Sequence, residues 1–339
     1  MKSSIFSRAL IKCVRFPAKL SLPAPAAVAP WPISRISFDG WLAGELDGLR
    51  SQRHQNSPNV SCSSATWFIH ALDVAIASQT FAMKSFSNMY REDDKKAIED
   101  HVEDVVELLD ACNYLREKIE GLRNYIDLIR IVLHWLDGNS RPNRTVLERV
   151  RVLLDSCEGS EKKFTKLEKC SSNLTKLICK GSRGAKLGSY ETELYEILSG
   201  SKAITSLAIA AIGIMLSFKT KRGLPTARAG EILPLWSSSF NELRKEMKEE
   251  IEKRRKFGGI FLNELRNTIT AVKNLRNLVN SQRLGNEDWQ RELKVNVEEL
   301  RKSCGGIEEG IIKPLEGRVN ELYKHLISVR LALLNIMPQ

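Results

Sequence analysis

Thiols and imidazoles are the side chains in this sequence best suited to nucleophilic attack, metal ligation or proton transfer, so their spacing is the first test for an active site. The cysteines are Cys13, Cys62, Cys112, Cys157, Cys170, Cys179 and Cys304. They are odd in number, scattered and without a CxxC pair, which argues against a disulfide framework and for a reducing compartment. Cys112 falls at helical spacing among Leu109, Leu115 and Ile119, the pattern of a small core hydrophobe. Cys170 and Cys179 lie in a basic stretch, but no histidine is near in sequence to activate them. The histidines are His54, His70, His101, His134 and His325; none forms HExxH or a His/Cys pair at zinc-ligand spacing. His134, between Leu133 and Trp135, reads as a packing or surface residue. The segment GSRGAKLGS, 181–189, lacks the GxxxxGK[ST] order of a phosphate loop and follows no strand, so it reads as a basic linker. Asp93 with Asp94 and Glu249 with Glu250 read as solvated residues or helix-end charges, not an acid/base pair. The sequence thus predicts no catalytic, cofactor or metal site and no enzyme activity.

Composition narrows the partners. The 339 residues carry a formal charge of +11 at pH 7 and are 42% hydrophobic and 7% aromatic, which excludes a wholly disordered or collagenous chain. Residues 160–188 hold eight Lys/Arg against two Glu, with Phe164 as their one aromatic. Without stacking platforms, sequence-specific nucleic-acid binding is disfavoured, and phosphate or an anionic membrane surface suits the stretch better. Residues 1–38 contribute six of the net positive charges through Lys2, Arg8, Lys12, Arg15, Lys19 and Arg35, and contain no acid. Their Ser/Ala/Pro content matches either an organellar transit peptide or a disordered basic leader, and both readings stand. Basic residues interrupt every apolar run there, so secretion is not expected.

The rest of the chain must supply the scaffold, and its patterning is helical throughout. The expected fold is all-α, a multi-helix bundle with long coiled-coil-like helices. The longest helix is expected over about 93–137. Ile98, Val102, Val105, Leu109 and Cys112 alternate spacings of four and three, and Leu115, Ile119, Leu122, Ile126, Ile129, Leu133 and Leu136 resume the alternation after one extra step. That pattern predicts a local phase slip near Cys112. Further helices are expected over 63–90, 144–180, 236–257, 260–281, 287–304 and to the C-terminus, with Gly258-Gly259 and Gly305-Gly306 as separators. The organisation expected is a leader to residue 38, a helical half over 39–188, an apolar helix with a basic flank over 189–230 and a second helical half over 231–339. Short connections favour an intramolecular bundle, with self-association through the helices as the alternative.

Residues 203–218, AITSLAIAAIGIMLSF, are uncharged and carry Ile204, Leu207, Ile209, Ile212, Ile214, Leu216 and Phe218. Sixteen residues span roughly 24 Å, less than the roughly 30 Å of a bilayer's hydrocarbon core. Either the segment is a central helix covered by others, or Lys202, Lys219, Lys221 and Arg222 form a basic flank at a lipid surface, facing cytosol or stroma.

The run 106–138 then resembles the central helix of the plant BYPASS family. Leu108, Leu109, Asp110, Cys112 and Asn113 match an LLD-CN element, and Val132, Leu133, His134 and Leu136 match a VLH-L element. An early FDGWLAGELDGLRSQ helix, WSSSFNELRKEMKEEI after the apolar segment, and the ending HLISVRLALLNIM agree in order. The resemblance implies an all-helical plant regulator or adaptor without enzyme activity, in development or stress signalling. Family members restrain a root-derived, carotenoid-dependent mobile signal that arrests shoot growth, and are plastid- or membrane-associated. The alternative that it implies is membrane tethering with the exocyst in vesicle traffic. It names no protein partner and transfers no active-site residue.

Overall fold

The structure is a computed structural model that describes residues 37–55, 65–89, 91–137, 142–167, 192–218, 235–256, 260–281 and 286–336. Its helices are α1 (Phe38–Gln55), α2 (Ala65–Met89), α3 (Lys95–Asp137), α4 (Arg144–Leu167), α5 (Glu193–Met215), α6 (Leu235–Lys256), α7 (Asn263–Asn280), α8 (Glu287–Ile307) and α9 (Lys313–Ile336). No strand occurs among the described residues, so the fold is the all-α bundle that the patterning predicts. Residues 36–339 form one compact unit, and a single hydrophobic core draws on every helix. The leader, residues 168–191, Lys219, Lys221, Arg222 and Gly258-Gly259 lie outside the described residues, as do Cys13, Cys62, Cys170 and Cys179.

The organising element is α3, continuous for 43 residues or about 65 Å. Its buried side chains form heptad rows without interruption. One row is Ile98, Val105, Cys112, Ile119, Ile126 and Leu133; the next is His101, Leu108, Leu115, Leu122, Ile129 and Leu136. The phase slip expected near Cys112 is therefore not required. The second row begins on a histidine, and that polar start conceals it in the pattern of apolar residues. The acids expected at the helix start sit one step earlier, in a 3-10 turn over Glu92–Asp94. There Asp94 is buried rather than solvated and accepts the backbone N–H of Arg91 at 3.1 Å.

Antiparallel to α3 runs α8, a five-residue π-turn over Glu308–Ile312, and α9. Gly305-Gly306 do not separate helices as expected, because both are exposed within α8 while Cys304, Ile307, Ile311, Ile312 and Leu315 carry the buried stripe onward. Two glycines in a helix cost roughly 1 kcal/mol each, a loss that the tertiary packing of this stripe offsets. Ion pairs and a ring contact mark the seam: Arg301 with Asp137, Arg130 with Glu308, Arg123 with Glu316, and Arg116 over the Tyr323 ring. Successive partners step by seven residues on α3 every time, but by seven, eight and seven on the facing strand of helix. The step of eight spans the π-turn, which inserts one residue and keeps the two helices in register. At Arg123 the pair is bidentate, with both guanidinium N–H groups on the Glu316 carboxylate at 2.5 and 3.1 Å.

Around this hairpin α2 packs on α5 and α9, α1 on α2 and α6, and α4 and α7–α8 cover the far end of α3. Gly200 in α5 marks the closest approach. A Cβ there would lie 2.6 Å from Phe38 Cε1 and 3.0 Å from Leu42 Cδ2 on α1. Gly200→Ala is expected to destabilise by about 1–2 kcal/mol through overpacking, even though alanine favours helix. Urea titration monitored by Trp fluorescence checks this; unchanged or raised stability would show that α1 is not seated against Gly200.

Candidate functional site: a buried polar row gripping the apolar helix

α5 follows from its composition, because a helix apolar around its whole circumference is stable in water only when neighbours cover it. Thr192 caps its N-terminus by accepting the N–H of Tyr195 at 3.3 Å, with Glu193 and Glu196 in the first turn. Among the predicted residues Ile204, Leu207, Ile209, Ile212, Leu216 and Phe218 are buried and Ile214 is partly so. By length and hydropathy α5 is long enough to cross a membrane, but 83% of that stretch is covered by protein. The structure thus presents the central-helix alternative.

A third heptad row on α3 faces α5 and is unexpectedly polar: Ala97, Asp104, Ala111, Lys118, Tyr125 and Val132. Asp104 meets Lys202 Nζ at 2.5 Å. Two heptads further, the Lys118 ammonium donates to the Gly213 carbonyl and the Ser217 hydroxyl, each at 2.7 Å, with the residue only 1% exposed. Tyr125 then packs edge-on against Phe218, centroids 5.2 Å apart, and donates its hydroxyl to Glu161 at 3.1 Å. These contacts advance together along both chains, so α3 and α5 run parallel and are fixed against sliding. From the other side Gln79 on α2 donates to Thr205 Oγ1 at 3.0 Å and the Ser201 carbonyl at 3.3 Å. Lys202, expected as part of a basic flank, is instead committed to Asp104 with its side chain 12% exposed.

Electrostatics follow burial. His101 is fully buried beside Phe86, and burial, assisted by the Lys202 charge, lowers its pKa to about 3, which keeps the ring neutral. Burial raises the Asp104 carboxyl, opposed by Lys202. The thiols of Cys112 and Cys157 are pushed up to about 12, again by burial first, and that of Cys304 is also raised. Thiols held this far from ionisation pack as apolar groups. The arrangement clamps helices. Among the described residues no group of three or more His, Cys, Asp or Glu is placed to hold a metal ion.

The other predicted residues divide by face. Leu108, Leu109, Cys112, Val132, Leu133 and Leu136 are buried, whereas Asp110, Asn113 and His134 are exposed. Sequence patterning missed Lys118, His101 and Tyr125 as core residues. The signal for Lys118 and Tyr125 was the heptad spacing of Asp104, Ala111, Lys118 and Tyr125, legible once α5 is known to need a partner row, and that for His101 was its place one heptad before Leu108 and Leu115.

A family model described as Protein BPS1 matches residues 82–336, about three quarters of the chain, and so includes α3, the whole of α5 and the α8–α9 arm. No curated protein and no solved structure matches.

Proposed function

The chain belongs to the BYPASS family of non-enzymatic developmental regulators, and from that premise we propose that it is a helical adaptor acting through protein contacts on the outside of its bundle. The family match carries this reading, because it coincides with the α3–α5 clamp and the long hairpin. Buried thiols and a neutral buried His101 support a core devoted to packing. In this reading the protein restrains the root-derived, carotenoid-dependent signal that arrests shoots. It works at a plastid or another anionic membrane, facing stroma or cytosol. The burial of α5 supports peripheral attachment through basic residues over a membrane span, with Lys219, Lys221 and Arg222 as candidates.

Plants whose BYPASS-family genes are inactive provide the test. Expression of this chain is expected to restore shoot growth, and arrested shoots despite full accumulation of the protein would overturn the proposal. Proximity labelling in the same plants that recovers exocyst subunits in place of plastid proteins would replace it with vesicle tethering. Carbonate washing of membranes is expected to release the protein into the soluble fraction; retention in the pellet would contradict peripheral attachment.

A further inference from the structure

The seam between α3 and α9 ends at the pole of the hairpin in a partly apolar exposed face. Ile327, Leu331 and Leu334 on α9 and Val106 on α3 are exposed, Leu331 by 57% and Leu334 by 44%. Continuing the register beyond Arg116 and Tyr323 sets Val106 level with residue 333, between Leu331 and Leu334. Charge is segregated across this face. On the Val106 face of α3 stand Glu99, Glu103, Asp110 and Glu117, with Arg116 at the edge of the seam, while residues 322–336 contain Lys324 and Arg330 and no acid. Asp110, Glu117, Lys324 and Arg330 are all exposed, and no ion pair among the described residues engages them. Further along the seam, by contrast, Arg123, Arg130 and Arg301 each have an acidic partner.

We propose that this face binds a second copy of the chain, with the two-fold axis along the hairpin. That symmetry lays α9 of each copy over α3 of the other at the same level and antiparallel, completing a four-helix layer of α3, α9 and their two counterparts. Leu331 and Leu334 then cover Val106 of the second copy, Lys324 comes level with Glu117 and Arg330 with Asp110. One face is apolar at its centre, acidic on one helix and basic on the other, and the dyad brings each sign onto its opposite twice. A partner of another kind would need its own matching pair of stripes; a second copy has them by construction.

Sedimentation equilibrium on the full chain tests the proposal. The wild type is expected to be dimeric at micromolar concentration, and Leu331→Glu to raise the dissociation constant about tenfold or more. Lys324→Glu and Glu117→Lys are each expected to weaken the dimer, and an equimolar mixture of the two to restore it, because the swapped charges then face one another. All three residues are exposed, so unchanged melting of each variant serves as the folding control. A wild type that stays monomeric, a dimer indifferent to Leu331→Glu, or a mixture that fails to reassociate overturns the assignment.

Discussion

Lowering the pH from 7 to 4 is expected to cost the fold about 3 kcal/mol through His101 alone. The native pKa is about 3 because the ring is fully buried and Lys202 opposes its protonation; in the unfolded chain the same ring titrates near 6.5. Between these values the unfolded state binds a proton that the native state refuses, so stability rises with pH across that window and falls as acid is added. The loss begins as pH drops below about 6.5 and saturates near 3. His101→Leu removes the titration and retains an apolar group beside Phe86. The difference in urea unfolding free energy between wild type and His101→Leu should therefore shift by about 3 kcal/mol between pH 7 and pH 4. A pH-independent difference would mean that the ring is not buried neutral.

Lys118→Ala is expected to destabilise by about 3 kcal/mol, combining a cavity where the aliphatic stem packed with acceptors deprived of a buried donor. The ammonium holds the Gly213 carbonyl and Ser217 hydroxyl at the end of α5 and lies 5.3 Å from the Tyr114 ring centroid. Lys118→Met keeps most of the stem, and removing the charge together with its desolvation cost offsets part of the lost bonding. Its loss is expected to be less than half that of Lys118→Ala. Equal losses in the two variants, measured by chemical denaturation, would show that the ammonium rather than the stem dominates. Hydrogen exchange should locate the weakening at the C-terminal turns of α5.

Legibility in the sequence follows how many neighbours each helix has. α8 and α9 carry narrow stripes, Trp289, Leu293, Val297 and Leu300, then Leu315, Val319, Leu322, Leu326, Val329 and Leu333; the second is the whole buried set of α9, and the first lacks only Cys304 and Ile307 of α8. α5 is legible as a helix that must be covered, because it lacks a polar face. α3 is harder, since contacts with α4, α5, α8 and α9 bury three adjacent rows, and polar members of the row against α5 look like solvent residues. Lys118 offers no clue of its own: only the Gly213 carbonyl at the C-terminal end of α5 and Ser217, brought close by the fold, make its burial tenable. Gly305-Gly306 mislead for the opposite reason, being local breakers in a helix whose packing on either side outweighs them.

The π-turn over Glu308–Ile312 sets local comfort against global assembly. Deleting one residue there would restore ordinary α-helical hydrogen bonding, the better geometry for an isolated peptide. It would also rotate everything downstream by about 100°, turning Leu315, Val319, Leu322, Leu326 and Leu333 away from α2 and α3 and carrying Arg318 off Asp73, to which it is bonded at 3.0 Å. The turn thus works like a leap day in a calendar: a single inserted unit, irregular where it stands, that keeps two cycles of unequal length in step over a long run.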